Sequence, residues 1–90
     1  MGLDIVEMIM AVEEEFELAI PNEIASTLET PGLVHEYVVT QLKENKKIKS
    51  NGEQDQEIWE KIQEVIVSQL GVTIDEVTKD AKFVDDLKAD

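Results

Sequence analysis

Residues 83–90 read FVDDLKAD and residues 2–16 read GLDIVEMIMAVEEEF. The first stretch spaces its apolar and acidic residues like the approach to a helix, and then the chain stops. The second has helical periodicity from its first residues with no lead-in. Leu3, Val6, Ile9, Met10 and Phe16 fall on one face at 3.6 spacing, with Asp4, Glu7, Glu14 and Glu15 mostly off it. Asp4 and Glu7 lie where the helix dipole favours acids. The spacing predicts a helix over 3–16, stopped before Ile20-Pro21, because a residue preceding proline is pushed out of the helical region.

Working outward, Pro21-Asn22-Glu23 opens a short helix to about Leu28, with Pro21 or Asn22 near its first position. Thr30-Pro31 is a start signal, Thr30 as N-cap and Pro31 as first helical residue. Val34, Tyr37, Val38 and Leu42 supply the buried face of a helix over 31–45. Residues 46–54, KKIKSNGEQ, lack apolar periodicity and read as a flexible connector. Asp55 is placed to cap the next helix, whose face is Ile58, Ile62, Val65, Ile66 and Leu70, and Gly71 ends it. Beyond it, Val72, Ile74, Val77, Phe83, Val84 and Leu87 recur too regularly for a disordered tail, so this loop is expected to lie on the core. No strand pair and no internal repeat emerge. The fold class is all-α: three main helices, one short helix and a long packed loop.

Composition narrows the functions. The 90 residues hold 21 Asp and Glu against 8 Lys and Arg, a formal net charge of −13, and residues 1–42 contain no Lys or Arg. Such a surface repels phosphate backbones and anionic membranes and steers toward basic patches on proteins. A merely soluble acidic surface is the plainer reading of the same charge. Without cysteine there is no disulfide, thiol nucleophile or thiolate metal site. No apolar run approaches the ~18 residues that span a bilayer, and no signal peptide is visible. His35, the single histidine, has no second ligand nearby and reads as an exposed helix residue. The acids Asp75, Glu76, Asp80, Asp85 and Asp86 lack the mid-loop Gly of an EF-hand, so no metal site is expected. No nucleophile–base pair or phosphate-cradling loop is present, and the chain reads as a non-enzyme.

Joined end to beginning, FVDDLKAD followed by GLDIVEMIMAVEEEF resembles the centre of an acyl carrier protein. Phe83, Asp86, Leu87 and Asp90 match the first half of that family's motif. Leu3, Asp4, Val6, Glu7, Glu14, Glu15 and Phe16 match the second. Ile20-Pro21, Thr30-x-Gly32 and Tyr37-Val38 look like the family's later helices, and residues 55–82, with QLGV at 69–72, look like its first helix and loop. The resemblance covers nearly the whole chain in permuted order. It implies a circularly permuted, acyl-carrier-like four-helix bundle forming a single domain over 1–90. Residues 1–45 would run from the recognition helix to the last helix, 46–54 would be the connector, and 55–90 the first helix and loop. A connector of nine residues reaches ~30 Å extended, ample for the closure.

The resemblance also implies a chemistry, that of carrying acyl thioesters on 4′-phosphopantetheine in fatty-acid or related synthesis. The attachment serine falls at Gly2, between Asp90 and Leu3-Asp4. Glycine has no hydroxyl, so no phosphodiester forms there, and Ser26, Ser50 and Ser68 lack the flanking motif. Lys88 also stands where the family has Gly. Asp4, Glu7, Met8, Glu13, Glu14 and Asp86 would meet basic surfaces of fatty-acid or polyketide synthesis enzymes and of phosphopantetheinyl transferase. Val6, Ile9, Met10, Phe16, Val38 and Ile62 would line the acyl chain. The expected setting is bacterial cytoplasm or plastid stroma. Two alternatives stand beside this reading: a carrier-like interaction module that is never loaded, and a fragment of a tandem carrier array whose halves pair between chains. A monomer is expected, with a swapped dimer as the other arrangement. At the seam, Asp90 is expected beside residues 1–4, with the first helical turn frayed.

Overall fold

Local chemistry sets most helix ends. In a computed structural model, which describes residues 3–47, 52 and 54–87 without the side chains of Leu3 and Asp4, the elements are α1 (Leu3–Phe16), α2 (Asn22–Ala25), α3 (Pro31–Glu44), α4 (Asp55–Leu70) and a 3-10 turn (Ile74–Glu76). The described residues contain no strand. Thr30 caps α3 as expected, its Oγ1 accepting from the Leu33 N–H at 3.3 Å with Pro31 in the first turn. Gly71 closes α4 in the left-handed region, φ 70°, its N–H reaching the Val67 carbonyl at 3.0 Å.

Two boundaries differ from the sequence reading, while α1 ends at Phe16 as expected. The short helix α2 stops at Ala25 rather than Leu28, where the hydroxyls of Ser26 and Thr27 donate back to the Glu23 and Ile24 carbonyls at 2.9 and 2.7 Å. Such local bonds compete with helix propagation. Gln54, not Asp55, occupies the N-cap position of α4, and the Asp55 N–H donates to the Gly52 carbonyl at 3.2 Å. The end of α1 is fastened by side chains: Glu17 turns left-handed at φ 53°, Ile20 N–H donates to Glu13 Oε2 at 2.8 Å, and Lys47 Nζ donates to the Glu17 carbonyl at 2.7 Å.

The four helices share one core with α4 at its centre, packed against α1, α3 and the 3-10 turn. This is the expected acyl-carrier-like bundle. Its α1 contribution, however, is Ile5, Met8, Ile9, Val12 and Phe16. Val6 and Met10, expected on the buried stripe, are exposed, roughly 100° and 145° around the helix from its centre. The helix carries apolar residues on two faces, and Ile9 and Phe16 serve either register. Contact with α4 selects the one holding Met8 and Val12.

The segment after α4 lies on the core, as expected, but not with every apolar residue inward. Val77, Ala81, Phe83 and Leu87 are buried, while Ile74 and Val84 face out. Backbone bonds hold it in place: Gly32 N–H to the Lys79 carbonyl and Phe83 N–H to the Glu29 carbonyl, both at 3.0 Å, with Gln63 Nε2 donating to the Val77 carbonyl at 3.1 Å.

Candidate functional site

The outer face of α1 combines exposed acids with exposed apolar side chains. Glu7, Glu14 and Glu15 are exposed, and beside them Val6 is 37% and Met10 53% accessible. No base occurs in residues 1–42, so nothing on this helix offsets the acids. A rigid helix bearing fixed acids around two solvent-facing apolar groups can hold a basic, partly apolar surface. Its electrostatic share would be screened within ~8 Å at physiological salt.

Two of the partner-binding residues expected from sequence are placed otherwise. Met8 is 0% accessible and belongs to the core, because it shares the α4-facing stripe with Val12. Glu13 is half-buried and its carboxylate accepts from Ile20 N–H, so it shapes the turn after α1. Glu7 and Glu14 remain on the surface as expected. Asp86 is exposed as well, and its Oδ2 accepts from Lys82 N–H at 2.8 Å, closing the turn that seats Phe83 and Leu87.

Of the residues expected to line an acyl chain, Ile9, Phe16, Val38 and Ile62 lie together in the core. Val6 and Met10 are on the surface. Gly2 and Asp90, with the expected seam between them, lie outside the described residues. So do the side chains of Leu3 and Asp4, whose backbone forms the first turn of α1.

The structure adds two features that the sequence reading missed. An open hollow between α1 and α4 is walled by Glu14, Glu15, Glu64 and Lys61 over Ala11 and Val65, which carries the acidic face onto the second helix. The signal was present in the acids at 57, 60 and 64, spaced along one side of α4. Second, His35 is half-buried rather than exposed. Its Nε2 donates to the Asp55 carbonyl at 2.9 Å and its ring meets Trp59 edge-on at 5.6 Å, fastening α3 to α4. The ammonium of Lys79 stands 5.5 Å from the same indole. Among the described residues no group of three or more His, Asp or Glu could hold a metal ion, and no helix is long and apolar enough to cross a membrane.

Comparison with known proteins finds acyl carrier proteins to which part of this chain is similar. The chain is similar to the acyl carrier protein of Akkermansia muciniphila, 58% identical over 36 residues, which is 40% of this chain and 45% of that protein. It is likewise similar to that of Clostridium perfringens, 58% over 37 residues, 41% and 49% of the two chains. With that of Solidesulfovibrio magneticus it shares 68% over 33 residues, 37% and 42%. The chain thus spans just under half the length of the curated relatives it matches. No family model matches it, and no solved structure matches it significantly.

Proposed function

Because the chain is a relative of the acyl carrier proteins, we propose that it is a carrier-like domain of fatty-acid or related acyl-chain synthesis that works by docking rather than by catalysis. The identity of 58–68% to acyl carrier proteins is the observation that carries this reading. The exposed Glu7, Glu14, Val6 and Met10 on α1 supply a surface for basic enzyme partners, synthases and phosphopantetheinyl transferase among them. The segments resembling the family's first helix and loop, residues 55–82, follow those resembling its later helices, so the domain is read as a circular permutation in bacterial cytoplasm or plastid stroma.

In the family the cofactor is 4′-phosphopantetheine on a serine. The matching position here is Gly2, which offers no oxygen to a phosphodiester. This form is therefore read as unloaded, an interaction module whose apolar core residues Ile9, Val38 and Ile62 correspond to a carrier's acyl-lining positions. Incubation with a phosphopantetheinyl transferase and coenzyme A, followed by intact-mass measurement, tests the loading. No mass gain is expected, and a gain equal to the phosphopantetheine arm overturns the unloaded reading. Micromolar, salt-sensitive binding to a carrier-dependent synthase tests the docking, and its absence at low salt overturns the carrier reading itself.

A further inference from the structure

We draw no further inference here: the strongest candidate, the open hollow between α3 and the first turn of α4 where His35, Glu36 and Thr40 stand beside Asp55 and its buried Oδ1, unpartnered among the described residues, carries nothing, because Asp55 is only half-buried and nothing in the structure shows what would fill the hollow.

Discussion

The backbone N–H of Gly32 donates to the carbonyl oxygen of Lys79 at 3.0 Å, and a methyl group built on Gly32 would stand 2.7 Å from that same oxygen. Two effects of opposite sign meet at Gly32. Within a helix, Gly→Ala ordinarily stabilises by roughly 0.5–1 kcal/mol. Here the added carbon collides with backbone, which cannot rotate away, and overpacking of this kind costs about 1–3 kcal/mol. The clash is expected to win. Urea unfolding of Gly32→Ala should show a net loss of about 1–2 kcal/mol; a gain would mean that the 77–83 segment does not lie where the bond places it.

The same segment supplies a second contrast. Phe83 is 1% accessible and its neighbour Val84 is 59% accessible. Phe83→Ala should cost about 3–5 kcal/mol, enough to unfold a marginal domain, whereas Val84→Ala should stay within about 0.5 kcal/mol. Comparable melting shifts for the two would show that this segment is not part of the core.

A third prediction separates the two methionines of α1. Met8→Ala removes a fully buried side chain and should cost about 2–5 kcal/mol in thermal or urea unfolding. Met10→Gln changes a half-exposed one and should leave stability within about 0.5 kcal/mol. If the outer face of α1 docks on partners, Met10→Gln should instead weaken binding to a carrier-dependent synthase several-fold, read by titration calorimetry.

Charge reversal addresses that face directly. Glu7→Lys with Glu14→Lys should lower synthase affinity at low ionic strength, and the difference from wild type should shrink as salt is raised past about 0.15 M, where the screening length is ~8 Å. Circular dichroism should be unchanged, because both side chains are exposed. Equal affinities of mutant and wild type at low salt would reduce the acids to a solvation role.

What the sequence alone determined is the chemistry that acts within a few residues. Thr30-Pro31 starts α3, Gly71 ends α4, and Ile20-Pro21 keeps α1 from continuing, because each depends on capping, on left-handed backbone or on the restriction before proline. The all-helical class and the acidic, base-free first half were legible for the same reason. Tertiary structure decided which of two apolar faces on α1 turns inward. A 3.6-residue period fits both, and only the approach of α4 distinguishes Met8 from Met10. It also chose Phe83 over Val84 and drew His35 onto Asp55 and Trp59. Those choices rest on contacts between residues twenty or more positions apart, which no local pattern encodes.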